Sequence, residues 1–195
     1  MDRETFDFYQ HRAAEWAAAL PFAHSPELDS FLDRLSPGAA ILELGCGDGR
    51  DAEHMIAQGF EVHPSDGSPT MAALASERLG REVPVIRFDE LDEAAAFDAV
   101  WCQATLLHVA EPDLPSVLSR IHRALRPHGL HWASFKGGRG GHRDGFGRFY
   151  SYIPAERLEA AYRAAGAWSE LEIASAEGSS FGGTPTTWHH VLVRK

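Results

Sequence analysis

Short apolar runs alternate with segments of helical periodicity through most of the chain. The runs are bounded by glycine or proline and are short, so they predict buried strands. The segments between them repeat apolar residues three and four positions apart, which is typical of amphipathic helices. Strands separated by helices form right-handed crossovers, so we expect a mostly parallel sheet covered on both faces. The predicted strands span residues 39–44, 60–64, 83–88, 97–103 and 129–135, and the predicted helices span residues 50–58, 69–80 and 114–125.

The two ends of the chain depart from this alternation. Helical spacing predicts amino-terminal helices over residues 4–20 and 26–35, and a carboxyl-terminal helix over residues 154–165. Predicted strands at 171–176 and 187–193 have only a loop between them, which favours an antiparallel hairpin over a parallel crossover. The predicted fold is α/β. It is a doubly wound, Rossmann-like, mostly parallel seven-stranded sheet with a C-terminal antiparallel hairpin.

Length and charge limit the kinds of protein this can be. A chain of 195 residues fits one domain, in which residues 1–36 form N-terminal helices and residues 37–195 form the core. The 18 Lys and Arg against 28 Asp and Glu give a net charge of −10, which argues against nucleic acid as a partner. We therefore expect a small-molecule ligand.

Compartment is indicated by features that the chain does not contain. No stretch approaches the roughly 20 apolar residues of a membrane span, and the acidic start lacks an apolar signal segment. Two cysteines, Cys46 and Cys102, are too few for a disulfide scaffold and are interpreted as free thiols. We expect a cytoplasmic protein without membrane partners, and the pattern does not define its oligomeric state.

The strongest chemical signal is a glycine-rich loop between the first strand and its helix. Gly45, Gly47 and Gly49 let the backbone approach a ligand at the carboxyl edge of the sheet. A dinucleotide fingerprint would need a glycine where Arg50 stands. A phosphate loop would need Gly-Lys-Ser/Thr, whereas Asp51 would repel a phosphate at the helix start. The loop therefore predicts a nucleotide-like ligand without phosphates.

Two acidic residues define the rest of that ligand. Asp66 follows the second strand, 21 residues after Gly45, where a carboxylate can accept hydrogen bonds from both ribose hydroxyls. Glu43 lies at the mouth of the first strand and could face an ammonium or sulfonium charge. Together they indicate a nucleoside with a cationic amino-acid tail.

Four segments in order resemble the class I S-adenosylmethionine-dependent methyltransferases. They are residues 43–49, residues 66–71, residues 97–109 and residues 121–130, so the likeness covers residues 39–135. The sequence departs from the usual pattern at His128 and at Pro64-Ser65. The compact chain is also similar to the tellurite-resistance-type branch, which carries Leu-x-His after the fourth strand.

The resemblance assigns cofactor contacts. It implies that the glycine loop, including Cys46, lies against the methionine part, that Asp66 holds the ribose, and that Gly67 or Met71 contacts the adenine. Asp89 is interpreted either as an adenine contact or as the N-cap of a helix over residues 90–95. One of Trp101, Cys102 and Gln103, which end the fourth strand, should contact the cofactor, although Trp101 also suits core packing. Tyr9 is the candidate contact from the N-terminal cap segment of the family.

Methyl transfer from S-adenosylmethionine needs mainly alignment and exclusion of water, because the cofactor carries its own leaving group. A hydroxyl acceptor would still benefit from a general base. His108 lies just beyond the fourth strand and has suitable chemistry near neutral pH. The alternative is that His108 is a structural hydrogen-bonding residue.

Positive charge is concentrated in one segment of this acidic chain. Residues 136–152 contain four Lys or Arg against one acid, together with glycines and aromatic residues. We interpret the segment as a mobile lid over an acidic or phosphate-bearing substrate, with Arg143, Arg148 and Tyr150 as candidate contacts. The alternative is a solvated flexible loop.

Metal binding and other functions fit the sequence less well. The neighbouring pairs His128/His131 and His189/His190 do not supply convergent ligands, so no metal site is predicted. The leading hypothesis is methyl transfer to a small-molecule acceptor. The alternatives are a sensor that binds S-adenosylmethionine without methyl transfer, and a dehydrogenase, which Arg50 disfavours.

Overall fold

The apolar runs become strands of a single sheet in the computed structural model, which describes residues 2–19, 23–180 and 183–195. Within those residues the sheet has eight strands. The strands are β1 (Ala40–Leu44), β2 (Glu61–Ser65), β3 (Phe97–Cys102), β4 (Leu125–Lys136), β5 (Gly140–Arg143), β6 (Phe149–Tyr152), β7 (Glu170–Ser179) and β8 (Pro185–Arg194). The α-helices are α1 (Arg3–Ala18), α2 (Leu28–Leu32), α3 (Arg50–Ala57), α4 (Pro69–Leu79), α5 (Leu114–Ala124) and α6 (Ala155–Ala165).

The pairing of the strands confirms the predicted fold class. Strands β2, β1, β3 and β4 are parallel and adjacent in that order. Strand β8 runs antiparallel between β4 and β7, so the last two strands form the expected hairpin at the edge. The carboxyl ends of β1, β2 and β3 consequently meet at one edge of the sheet, where ligands of open α/β folds bind.

Both faces of the sheet are covered because residues alternate between them along each strand. Leu42 and Leu44 pack in one apolar cluster with α5 and α6. Ile41 and Trp101 pack in the other with α2 and α3. Trp101 stacks on Trp132 with ring centroids 4.1 Å apart, which is the core packing considered for it. No helix among the described residues has the length and apolar character needed to span a bilayer.

Three local predictions were wrong. The segment 83–88 forms only one bridge, between Asp66 and Val85, because Pro84 has no N–H to donate and Val85 is 48% exposed. Residues 90–95 contain no helix. The glycine-rich segment is not an irregular loop, since β5 and β6 form a hairpin attached to β4 through Lys136 and Tyr152. The sheet therefore has eight strands rather than seven.

The N-terminal helices lie beside the carboxyl edge of the sheet. Helix α1 is kinked at Arg12 and contacts α4 through a hydrogen bond from Thr70 Oγ1 to the Gln10 carbonyl (2.9 Å). Helix α2 is shorter than the predicted 26–35, since it begins at Leu28 and ends at Leu32. The predicted end of the first helix at residue 20 and the side chains of residues 13, 14 and 16 lie outside what the structure describes.

Candidate active site

A cleft, here called the first cleft, opens at the carboxyl ends of β1, β2 and β3. Six separate segments form its walls: α1, the segment before α2, the end of β1 with the loop and helix start after it, the turn and helix start after β2, residues 87–88, and the turn after β3. Its lining residues are Tyr9, Ser25, Glu43, Gly45, Cys46, Gly47, Asp48, Arg50, Asp51, Asp66, Gly67, Met71, Arg87, Phe88, Gln103, Ala104, Thr105 and His108.

The glycine loop needs glycine for steric reasons that the structure makes explicit. Gly45 has φ +84°, and a Cβ there would lie 2.1 Å from Thr105 Oγ1. Gly49 has φ +81°, and a Cβ there would press on Ala75 of α4. The N–H groups of Gly45 and Cys46 donate to the Ser65 carbonyl at 2.8 and 2.9 Å, which holds the loop against the end of β2.

Asp66 links the ends of two strands. Its carboxylate accepts hydrogen bonds from the N–H groups of Gly47 (2.9 Å) and Ser68 (2.8 Å). Burial raises the pKa of Asp66 to about 6, although these backbone hydrogen bonds favour the charged form. Each carboxylate oxygen keeps a second lone pair, so Asp66 can also accept hydrogen bonds from hydroxyl groups of a ligand in the first cleft.

Glu43 is a buried acidic residue in the wall of the first cleft, and its hydrogen bonding is only partly satisfied. Its Oε2 atom is buried and has no hydrogen-bond partner among the described residues. Burial, with the nearby charges of Asp51 and Asp66, raises the pKa of Glu43 well above its usual range. A buried carboxylate oxygen without a partner costs free energy, which a cationic ligand group would offset. The cleft therefore fits a ligand that carries an ammonium or sulfonium charge.

Asp51 connects the helix start after the glycine loop to the segment before α2. Its carboxylate accepts hydrogen bonds from the N–H and Oγ of Ser25, both at 2.7 Å, and from Trp101 Nε1 at 2.9 Å. All three donors are buried with it. From the sequence, Asp51 was predicted only to repel phosphate, and Ser25 was not predicted to lie in the site, because no local spacing relates residue 25 to residue 51.

Tyr9 and His108 meet above the end of β3. His108 Nδ1 lies 2.6 Å from the Phe149 carbonyl oxygen, which can only accept, so Nδ1 carries the proton. The Tyr9 hydroxyl, 3.0 Å from His108 Nε2, must therefore donate to that nitrogen. Burial lowers the pKa of His108 to about 4, although its hydrogen bond to Phe149 favours the charged form. His108 is thus a neutral acceptor that fixes the orientation of Tyr9.

The β5–β6 hairpin packs on α1, and we call this contact the hairpin clamp. The Arg148 guanidinium lies 2.7 Å from Asp144 and 4.6 Å from the centre of the Phe8 ring. Phe149 N–H donates to Thr5 Oγ1 at 2.7 Å. The clamp places α1, with Tyr9, across one end of the first cleft.

The other predicted lid contacts also have partners within the protein. Arg143 lies 2.9 Å from Asp2 and 3.4 Å from Glu4. Tyr150 is buried beneath the clamp, with Lys136 Nζ 3.4 Å from its ring centre. These side chains hold the hairpin in place rather than lining the first cleft.

A second cleft adjoins the first one. The two share Arg87, Phe88 and His108, so the second cleft borders the first one beside the Tyr9–His108 pair. The remaining lining residues of the second cleft are Asp2, Asp89, Val109, Ala110, Asp113, Ser116, Val117, Arg120, Arg143 and Phe149.

Comparisons with known proteins agree with this geometry. Residues 41–129, slightly less than half of the chain, match the family described as "Methyltransferase domain". The ubiquinone biosynthesis O-methyltransferase of Xanthomonas axonopodis pv. citri (strain 306) is 36% identical over 104 residues, which are 49% of this chain and 43% of that protein. The chain thus spans less than half the length of the curated relatives it matches.

Solved structures extend the likeness to nearly the whole chain. The 1,6-didemethyltoxoflavin-N1-methyltransferase of Burkholderia thailandensis, solved with S-adenosylhomocysteine, has a TM-score of 0.73 and 26% identity over 97% of this chain and 85% of that one. The phosphoethanolamine N-methyltransferase 2 of Haemonchus contortus has a TM-score of 0.77 and 19% identity over 100% and 60%. The fold is that of the class I S-adenosylmethionine-dependent methyltransferases.

The methyltransferase fold brings most of the predicted site residues to one cleft. Ten of them line it, namely Tyr9, Glu43, Gly45, Cys46, Gly47, Asp66, Gly67, Met71, Gln103 and His108. Cys102 is fully buried in the core below the cleft. Asp89 is exposed, lines the second cleft and pairs with Arg87 at 3.3 Å. Arg148 and Tyr150 line neither cleft, whereas Arg143 lines the second.

Arg87 and Phe88 are the lining residues that sequence reasoning misplaced. They were assigned to a buried strand, but that segment leaves the sheet after its single bridge and reaches the cleft instead. The proline within the apolar run was the available signal, because proline is confined to edges and ends of strands.

Proposed function

We propose that this chain transfers the methyl group of S-adenosylmethionine to a small-molecule acceptor that carries an anionic group. The observation that supports it best is the buried, unpartnered oxygen of Glu43 beside the glycine loop and Asp66. A nucleoside with a cationic amino-acid tail would complete that group. The finer likeness to the tellurite-resistance-type branch, carried by Leu106–His108, stays a prediction.

Each part of the first cleft has a role in holding the cofactor. Glu43 Oε2 would accept from the ammonium group, and Asp66 from the ribose hydroxyls. Gly45 and Gly47 allow close approach of the backbone, and Gly67 and Met71 line the adenine end. When bound, S-adenosylmethionine supplies an activated methyl group and a neutral thioether as its leaving group.

The Tyr9–His108 pair would position the acceptor. The Tyr9 hydroxyl donates to His108 Nε2 and accepts from Arg148 Nη1 at 3.5 Å, so its oxygen is held where an acceptor hydroxyl or amino group in the first cleft would lie. With a pKa of about 4, His108 is a weak base at neutral pH, which favours orientation of Tyr9 over direct proton abstraction. Alignment and exclusion of water would then account for most of the catalysis.

The second cleft supports an anionic acceptor. Among the described residues, Arg120 forms no ion pair, and its Nη1 donates only to the Leu91 carbonyl at 2.9 Å. Its guanidinium is partly buried in the cleft that leads to His108. An acceptor with a carboxylate or phosphate could pair with Arg120 while its nucleophile faces Tyr9.

The test measures S-adenosylhomocysteine formed from S-adenosylmethionine across a panel of small carboxylates and phosphate monoesters, together with cofactor binding by calorimetry. We expect turnover with at least one anionic compound and weaker turnover with its uncharged analogue. Asp66→Ala should weaken S-adenosylhomocysteine binding at least tenfold and lower turnover with it.

Tyr9→Phe provides the contrasting variant, because it removes one oxygen and keeps the ring. We expect unchanged cofactor affinity and turnover about tenfold lower. Cofactor binding without product from any acceptor, or no binding of S-adenosylmethionine at all, would contradict the proposed function.

A further inference from the structure

A second group of polar side chains lies outside the two clefts. His24, Asp29 and His54 each offer one ligand atom, and these atoms lie within 4.8 Å of one another. Asp29 Oδ1 is 2.7 Å from His54 Nε2, and Asp29 Oδ2 is 3.4 Å from His24 Nε2. The two imidazole rings stack with centroids 3.7 Å apart, and each presents its Nε2 to the Asp29 carboxylate.

This spacing suits a transition metal. Zinc binds histidine nitrogen and carboxylate oxygen at about 2.0–2.2 Å, so two ligand atoms on one ion lie roughly 2.9–3.5 Å apart. The distances from His54 Nε2 to Asp29 Oδ1 (2.7 Å) and from His24 Nε2 to Asp29 Oδ2 (3.4 Å) are close to that interval, with each histidine facing a different oxygen of the carboxylate. Two imidazoles with one carboxylate favour Zn²⁺ and its neighbours in the first transition row over Mg²⁺ or Ca²⁺, which prefer oxygen ligands.

The ligands come from two segments that the sequence does not relate. His24 and Asp29 lie before and within α2, whereas His54 is in α3. The carboxylate of Asp29 is 64% exposed, so an ion can enter from solvent and keep water in its remaining positions. The prediction of no metal site compared only histidines that are neighbours along the chain, so it did not consider this group.

The three side chains lie next to a hydrogen bond in the wall of the first cleft. Ser25, next to His24, and Asp51, one turn before His54 on α3, are hydrogen-bonded to each other in the wall of the first cleft. An ion between α2 and α3 would add a second link between the same two segments. It would stabilise the wall without contacting a bound cofactor.

We propose that His24, Asp29 and His54 bind one Zn²⁺-type divalent ion that fastens the α2 segment to α3. The tag-free chain, stripped with a chelator, is titrated with Co²⁺ while visible absorbance is recorded, and Zn²⁺ is then added to displace it. We expect one ion per chain, Co²⁺ bands that Zn²⁺ removes, and a higher melting temperature with Zn²⁺.

Three variants test the assignment. His54→Ala and Asp29→Asn should weaken Co²⁺ binding at least tenfold. Mutation of a residue that only hydrogen-bonds to a metal ligand typically lowers metal affinity about 10–100-fold, and loss of a ligand itself should lower it no less. His63→Ala is the matched control, because His63 is also paired with one carboxylate, 3.0 Å from Glu61, and among the described residues it belongs to no group of three possible ligands. It should leave binding unchanged. S-adenosylhomocysteine binding by each variant checks that it is folded.

The proposal would be overturned by equal Co²⁺ affinity in all three variants and the parent chain, or by no Co²⁺ bands at all. A response to Mg²⁺ or Ca²⁺ equal to that to Zn²⁺ would also overturn it. None of these readouts depends on methyl transfer, so the outcome is independent of the proposed function.

Discussion

The first cleft and the hairpin clamp differ in whether their buried ionisable side chain has a partner within the protein. In the clamp, Arg148 is 2% exposed and is paired with Asp144. In the cleft, Glu43 is 3% exposed and its Oε2 atom has no partner among the described residues. The buried charge of the clamp is therefore paired within the protein, whereas the Glu43 oxygen of the cleft needs a ligand group as its hydrogen-bond partner. Folded stability and ligand affinity should consequently respond to different substitutions.

The largest expected effect is at Gly45. Gly45→Ala forces a Cβ against Thr105 in a backbone conformation that alanine disfavours, which should cost about 3 kcal/mol of unfolding free energy. Cofactor binding should fall more than a hundredfold. Gly38→Ala is the control, because Gly38 also has positive φ but no atom within 4 Å, and should cost about 1 kcal/mol. Urea unfolding and calorimetry measure both, and equal costs at the two positions would refute the steric reason.

The next effect concerns the clamp. Arg148→Ala removes the guanidinium that pairs with Asp144 and its contact with Phe8, so the free energy of unfolding should fall by about 2 kcal/mol. Arg139→Ala breaks an exposed pair with Glu156 and should cost less than about 1 kcal/mol. A loss at Arg148 no larger than that at Arg139 would show that the clamp does not stabilise the fold.

Glu43→Gln should separate stability from affinity. The pKa of Glu43 is higher in the folded than in the unfolded chain, so its contribution to stability is present below the unfolded pKa and lost as pH rises through the folded value. The variant without cofactor should therefore gain stability relative to the parent chain at pH 8, but not at pH 4. Its affinity for S-adenosylmethionine should fall about tenfold.

Urea unfolding at the two pH values, with calorimetry, tests this pair of changes. Glu53→Gln, an exposed residue of α3 that pairs with Arg78, is the control and should change neither quantity much. If Glu43→Gln lowered stability at pH 8 and kept full affinity, the claims that the unpartnered Glu43 oxygen costs stability and binds the cofactor would both be refuted.

Sequence reasoning succeeded where the signal is local. The glycine loop is recognisable because Gly45, Gly47 and Gly49 all have positive φ, a local backbone requirement that glycine meets best. Asp66 is recognisable because it directly follows a strand. It failed at residues 83–88, where the apolar residues led us to predict a strand although Pro84 disfavours one. It also failed at residues 136–152, where β5 reads Gly-Gly-His-Arg and β6 reads Phe-Tyr-Ser-Tyr, because neither has the alternation of apolar and polar residues that predicts a strand.

The sequence by itself determined the alternation of strands and helices and the loop after β1, because apolar periodicity and the backbone freedom of glycine are local properties of the chain. Only the tertiary structure decided that Tyr9 meets His108, that Ser25 meets Asp51, and that His24 meets His54. Those pairs lie far apart in sequence, and crossing of the chain over the sheet brings them together. Their contact therefore depends on how whole helices and strands pack, and no short segment encodes it.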